Sequence, residues 1–340
     1  MSERRLELYR QLQRIRLLDE RLVQLQRQGR IAFHGSCAGQ EAAPVAAGFA
    51  LRESDWIFPA LRESYVMLVR GYPLARYVAQ DFGTSLDAAK GRQMPSHQSA
   101  RAVNVVSWSS CIGTQLPQAV GMALAAKKQG RDQICLVFLG DGATSHPDFH
   151  AALNFAGVFR APCVIVCQNN QFAISVPVER QSANPRLFEK AAAYGIPGER
   201  VDGNDPELVL DAMARAAERA RAGGGPSFIE CLTYRIGPHS SSDDPSRYRD
   251  EAVARAWAER DPVALLQRRL LEAGTLSAER DASLTRELTE ELDRAVQTAE
   301  AAPPPPVSSL FDDVYAERPW HLAEQARELA RAPRAARQPV

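Results

Sequence analysis

The stretch ICLVFLGDGATSHPDFH, residues 134–150, ends an apolar run in an acid held between two glycines, Gly140-Asp141-Gly142. A second apolar run, in APCVIVCQNNQFAIS at residues 161–175, ends in paired amides, Asn169-Asn170. Between them PDFHAALNFAGVF reads as a helix, so strand, helix and strand make a βαβ unit. Continuous apolar strands predict a parallel sheet covered on both faces. Crossovers between parallel strands are almost always right-handed, so both strands run the same way. Asp141 and Asn169-Asn170 then fall at one rim of the sheet, where open α/β sheets bind ligands.

One carboxylate with neutral amide and carbonyl oxygens is a weak, hard-oxygen ligand set. It suits Mg²⁺, which accepts one or two protein acids and takes its other ligands from phosphates and water. The flanking glycines let backbone N–H groups approach those phosphates, and a helix opening after Gly142 adds a positive dipole end. A lone GDG is usually an ordinary turn. GDG with a double Asn, each after its own strand, is far more specific. No GxxxxGK[ST] and no strand-linked GxGxxG occurs, which disfavours mononucleotide binding.

Outward from this unit, Leu8, Leu12, Ile15, Leu18, Leu22 and Leu25 recur at three and four and predict an N-terminal helix within residues 1–30, closed by Gly29. Residues 30–112 alternate short helical patterns with loops. TQLPQAVGMALAAKKQ, residues 114–129, predicts a small-residue helix ended by Gly130. GERVDGND and GPSFIECLTYRI suggest further strands around a helix at 205–222. Residues 237–249, GPHSSSDDPSRYR, form a polar loop, and helices follow to about 300. The expected division is an α/β domain over 31–300, a Pro-rich linker and C-terminal tail over 301–330, and disorder over 331–340.

The 340 residues are 45% hydrophobic, enough for a sizeable core and against global disorder. Charge is balanced at 41 basic and 41 acidic residues, without the basic block of a nucleic-acid binder. No apolar run approaches the length of a membrane span. The first residues enter a helical pattern directly, without a signal peptide's apolar core or an acid-poor transit composition. Cys37, Cys111, Cys135, Cys163, Cys167 and Cys231 lie mostly in apolar runs and lack zinc-site partners, so reduced, buried thiols in a cytoplasmic protein are expected.

GRIAFHGSCAGQEA, GRQMPSH, GTQLPQAVGMALAAK, GDGATS, NNQFAIS, VDGND, TYRIGPHSSSDDPSRYR and LFDDVY follow one another along the chain. In this order they resemble the alpha subunit of the decarboxylating component of 2-oxo acid dehydrogenase complexes. GRQMPSH and LFDDVY match the branched-chain branch better than the pyruvate branch, and the similarity runs over residues 5–330. The resemblance implies a thiamine diphosphate-binding α/β fold, with a mostly parallel sheet flanked by helices on both faces. It implies oxidative decarboxylation of a 2-oxo acid and acyl transfer to a lipoyl group on a separate acyltransferase. In this family a beta subunit supplies the glutamate that activates the cofactor, so an obligate α₂β₂ assembly is implied. The rivals are the same chemistry on pyruvate or acetoin, and a non-catalytic Mg²⁺–diphosphate-binding regulatory subunit.

Carried over residue by residue, the resemblance makes Asp141, Asn170 and the backbone carbonyl of Phe172 the Mg²⁺ ligands. Gly142 and Ala143 present backbone to the diphosphate, and Arg62 pairs with a phosphate through its planar fork. Leu61 and Gln168 stand where relatives carry Tyr and Arg, so a phenol and a charge are missing from the phosphate cage. Ser110 contacts the cofactor and Ile112 wedges beneath it. Ser109, Cys111, Thr114 and Gln115 align with a potassium site. His239 assists acyl transfer, with an ordinary imidazole pKa near ~6.5 suiting it to carry a proton. Arg235, Asp243, Tyr248 and Arg249 order its loop, Ser240 matches a phosphorylation site of some relatives, and His97 lies near the same mouth.

Overall fold

The computed structural model describes residues 2–331. Its strands are β1 (Trp56–Phe58), β2 (Cys135–Gly140), β3 (Cys163–Asn169), the short pair β4 (Phe172–Ala173) and β5 (Val176–Pro177), β6 (Gly198–Asp202) and β7 (Ser227–Leu232). Five of them form one sheet in the order β1-β2-β3-β7-β6, parallel throughout. The expected fold class is thus observed. Gly140 is in register with Gln168, so Asp141 and Asn169-Asn170 lie at the same rim of the sheet.

Both faces are covered, for a reason visible in β2. Leu136 and Phe138 enter one hydrophobic cluster, while Cys135, Val137 and Leu139 enter the other. Side chains alternate along a strand, so an unbroken apolar run needs a core on each side. Phe138 is fully buried, and truncating such a ring to alanine costs about 3–5 kcal/mol. The N-terminal helix, Ser2–Arg27, turns all six periodic residues from Leu8 to Leu25 into the first cluster.

The crossover helix is Pro147–Phe159, with proline in its first turn and His146 Nδ1 accepting from the Asp148 amide. It does not open after Gly142, as the sequence suggested. Asp141–Ser145 first form a 3₁₀ turn, closed by the Thr144 hydroxyl donating to the Asp141 carbonyl at 2.8 Å. That local bond competes with the α-helical ladder, and the helix dipole starts further along the chain. The helices Gln115–Lys128 and Pro206–Arg221 form where expected, the second capped by Asp205. Glu251–Ala258, Pro262–Glu272 and Ala278–Ala301 follow.

Beyond the prolines the tail carries a helix, Trp320–Arg331. The stretch expected to be disordered, 331–340, begins on that helix's last residue, and 332–340 lie outside the described residues. No helix among the described residues is long and apolar enough to cross a membrane. All six cysteines are free, but Cys111 is exposed, against the expectation of burial. It sits in a loop rather than on a strand.

Candidate active site

The carboxyl ends of β2 and β3 open into a cleft of about 510 Å³, a size usual for small-molecule sites. Asp141 is buried there, and its Oδ2 accepts from Gln181 Nε2 at 2.8 Å. Burial lifts its carboxyl to a pKa of about 6, which Arg235 and the Gln181 bond only partly offset. Among the described residues no basic side chain forms an ion pair with it.

The paired amides divide the work. Asn169 is structural: its Nδ2 donates to Glu230 Oε1 at 2.7 Å, and its Oδ1 accepts from the Gln171 amide at 3.0 Å. Asn170 lines the cleft, donating to Gln40 Oε1 at 2.9 Å and accepting from the Phe172 amide at 3.3 Å. Gln171 takes a left-handed conformation, φ +70°, which costs a non-glycine residue energy. Its side chain, bonded to the Thr233 carbonyl at 2.9 Å, helps hold the turn. A Cβ on Gly142 would lie 2.7 Å from the Ala173 Cβ, so glycine there lets the β4–β5 hairpin close over the GDG turn. A Cβ on Gly140 would meet nothing within 4 Å, which leaves open space on the cleft side.

Positive charge lines the same cleft. Arg62, in the turn after β1, is buried and donates to the Ser36 carbonyl and to the His239 carbonyl, the latter at 2.8 Å. Burial, with Arg235 nearby, lowers its pKa to about 10. A solvated surface arginine is thereby ruled out. Arg235, expected only to order the loop, is itself buried in the cleft wall, bonded to the Ile174 carbonyl at 2.6 Å and the Tyr248 hydroxyl at 2.9 Å. Neither guanidinium forms an ion pair with a carboxylate among the described residues.

His239 lies between them, its Nδ1 at 3.3 Å from Arg62 Nη2 and 3.4 Å from Arg235 Nη1. Burial and the two cations lower its pKa to about 4. The expectation of an ordinary imidazole is therefore corrected. Because Nδ1 faces two donors, the ring's proton sits on Nε2. The loop is ordered as expected: Asp243 accepts from the His239 amide at 2.7 Å and from Tyr248, and Arg249 donates to the Ile236 carbonyl at 2.7 Å.

Leu61, Ser109, Ser110, Ile112, Gln115, Ala143, Gln168 and Phe172 also line the cleft. Ile112 is 57% exposed, which excludes a core-packing role. Gln168 donates to Glu63, a buried acid whose pKa burial raises. Cys111 and Thr114 do not reach the cleft wall; the Thr114 hydroxyl donates to the Cys111 carbonyl at 2.8 Å. Three wall residues with amide or carboxyl side chains went unread in the sequence, Gln40, Glu63 and Gln181. Gln40 stood within GRIAFHGSCAGQEA and Glu63 beside Arg62, whereas Gln181 had no motif to betray it. Among the described residues no group of three or more His, Cys, Asp or Glu could hold a metal. With Glu63 engaged by Gln168, the donor set at the rim is the Asp141 carboxylate with the amide and carbonyl oxygens of Asn170 and Phe172.

A family model described as "Dehydrogenase E1 component" matches residues 9–308. The alpha subunit of 3-methyl-2-oxobutanoate dehydrogenase from Mycobacterium tuberculosis is 44% identical over 95% of this chain and 85% of that protein. The pyruvate dehydrogenase E1 component alpha subunit of Bacillus subtilis is 40% identical, over 94% and 84%. The human mitochondrial 2-oxoisovalerate dehydrogenase alpha subunit is 38% identical, over 97% and 74%. The likeness thus covers the rim, the loop and the sheet together, and the chain belongs to the dehydrogenase E1 component family.

Proposed function

We propose that this chain is the alpha subunit of a branched-chain 2-oxo acid dehydrogenase, holding thiamine diphosphate through Mg²⁺ at the β2–β3 rim. One observation carries the reading: the buried Asp141 carboxyl and the buried Arg62 and Arg235 guanidiniums share a cleft, and among the described residues none of the three forms an ion pair. Such a cleft suits a ligand that brings both signs, a divalent cation and a diphosphate. The chemistry such a cofactor supplies is addition to the 2-oxo carbonyl and an electron sink for loss of CO₂.

The chain's own residues would bind, orient and protect. Asp141, the Asn170 side-chain oxygen and the Phe172 carbonyl would hold Mg²⁺. Backbone at Gly142 and Ala143 and the fork of Arg62 would meet the phosphates, with Leu61 and Gln168 as weaker neighbours. Ile112 would pack against the cofactor, and Ser110 would contact it. His239, uncharged with its proton on Nε2, would serve as a hydrogen-bond donor to the reacting carbonyl oxygen. A potassium ion at Ser109, Cys111, Thr114 and Gln115 remains part of the proposal, with residue 111 contributing its carbonyl. The beta subunit is implied by the chain's membership as an alpha subunit. A lipoyl-bearing acyltransferase and a cytoplasmic setting, consistent with six free thiols, complete the reading.

The test is calorimetry of thiamine diphosphate with Mg²⁺ on the alpha–beta assembly, followed by turnover on 3-methyl-2-oxobutanoate, pyruvate and acetoin. Binding with preferred turnover of the branched substrate is expected. Preference for pyruvate, as the Bacillus relative's name would suggest, overturns the substrate assignment. Binding without any decarboxylation makes the chain a regulatory subunit, and absence of binding removes the proposal.

A further inference from the structure

Ser110, in the cleft wall outside the diphosphate end, is paired with a histidine buried behind it. Ser110 Oγ lies 2.8 Å from His97 Nε2, and His97 Nδ1 lies 3.0 Å from the Pro95 carbonyl. A carbonyl only accepts, so Nδ1 carries the ring proton, and in the neutral imidazole Nε2 can only accept. The Ser110 hydroxyl hydrogen is thereby directed at His97. Its lone pairs are what remain for the cleft.

His97 is held firmly enough for this to be a fixed property. It is buried, and its ring stacks on Trp108 with centroids 4.0 Å apart and planes 17° apart. Trp108 in turn donates its indole N–H to the Ser96 carbonyl. Ser96 adopts a left-handed conformation, φ +65°, and its amide donates to the buried Asp81 at 2.9 Å. A strained non-glycine residue persists only where its surroundings over-determine it. The turn before His97 is pinned from both sides, and the ring has little freedom to leave Ser110.

Resting on the thiamine diphosphate reading above, we propose that His97 is a positioning residue that makes the Ser110 hydroxyl a hydrogen-bond acceptor toward the cofactor's ring end. Ser110 is flanked in the cleft wall by Trp108 and Ile112, which suit an apolar ring rather than a phosphate. The pair therefore selects for an amino group at that point and against a carbonyl oxygen.

The experiment compares the affinities of thiamine diphosphate and oxythiamine diphosphate, which differ in an amino group replaced by an oxo group. Both are measured by calorimetry with Mg²⁺ on the alpha–beta assembly. Wild type should prefer the amino compound. Ser110→Ala should lose roughly three- to tenfold of that preference, the worth of one neutral hydrogen bond. His97→Asn keeps a donor near Pro95 but cannot reach Ser110, and should lose as much. His97→Gln places an amide oxygen near the Nε2 position and should restore the preference, which a merely structural role would not do. If wild type binds thiamine diphosphate and the preference is the same in Ser110→Ala or His97→Asn, this inference is overturned alone. If wild type binds neither compound, the proposed function falls and takes this inference with it.

Discussion

Arg62→Met asks whether a buried charge serves the fold or the ligand. The guanidinium's pKa falls from its ordinary 12.5 to about 10 in the cleft. At 1.36 kcal/mol per unit, holding that charge without a ligand costs about 3 kcal/mol. Replacing it with methionine releases this penalty. The same change strands the Ser36 and His239 carbonyls, which accept from Arg62. Each buried group left without a partner costs about 1–3 kcal/mol. The opposing effects nearly cancel, so folding stability should change by less than about 3 kcal/mol.

Ligand affinity has no such cancellation. A hydrogen bond from a charged donor is worth about 1.5–3 kcal/mol, so the variant should bind thiamine diphosphate with Mg²⁺ roughly 10- to 150-fold more weakly. Arg62→Lys keeps the charge but not the planar fork, and should fall between the two. Calorimetry on the alpha–beta assembly measures the affinity, and urea unfolding of the same preparations measures the stability. Unchanged affinity with a stability loss well above 3 kcal/mol would show that Arg62 braces the fold, and the assignment of the phosphate end would be wrong.

His239 gives a pH signature. Its folded pKa of about 4 lies below the ordinary 6.5, so between those values the unfolded chain binds a proton that the folded chain refuses. Stability should therefore fall as pH drops from 6.5 towards 4, by at most about 3 kcal/mol and less after solvent screening of a half-buried ring. Urea unfolding at pH 7 and pH 5 should show a smaller drop in His239→Gln than in wild type. Gly142→Ala forces a methyl group against Ala173, and a destabilisation of about 1–3 kcal/mol with weaker Mg²⁺-dependent binding is expected from denaturation and calorimetry. Leu61→Tyr should tighten diphosphate binding about fivefold by adding one donor. Gln168→Arg should gain less, because Glu63 already occupies the Gln168 amide and would capture the new charge; equal gains by calorimetry would show that Glu63 does not compete.

The sheet was legible because its central strands are buried on both faces, and an unbroken apolar run can satisfy that in few other ways. β1 was not, since three residues are too few to display a period. The rim was legible for a topological reason: handedness alone brings Asp141 and Asn170 together once the βαβ unit is read. Charge states were illegible. Nothing in PHSSSDD says that His239 is buried with Arg62 and Arg235 beside it, and its lowered pKa follows from that burial and those two neighbours. Gln168 looked like a missing charge beside a phosphate, and only the fold shows that its neighbour is Glu63.

The same limit hid the role of the first helix. Asp19 reads in sequence as one polar residue of LLDERL, yet it is buried and accepts four hydrogen bonds. They come from His34 Nε2 at 2.9 Å, Ser36 Oγ at 2.6 Å, the Cys37 amide at 2.9 Å and the Tyr65 hydroxyl at 2.9 Å. Burial alone would raise its pKa, but the bonds from His34, Ser36 and Cys37 outweigh burial and hold it at about 2. A carboxylate satisfied so fully fixes the backbone that satisfies it. That backbone is the part the site depends on: the Ser36 carbonyl receives Arg62, and the His34 carbonyl receives the Ser241 amide of the His239 loop at 3.1 Å. One acid on the N-terminal helix thus sets Arg62 and the His239 loop against each other. The leucine periodicity predicts only the amphipathic helix; its buried polar residue is what ties that helix to the cleft.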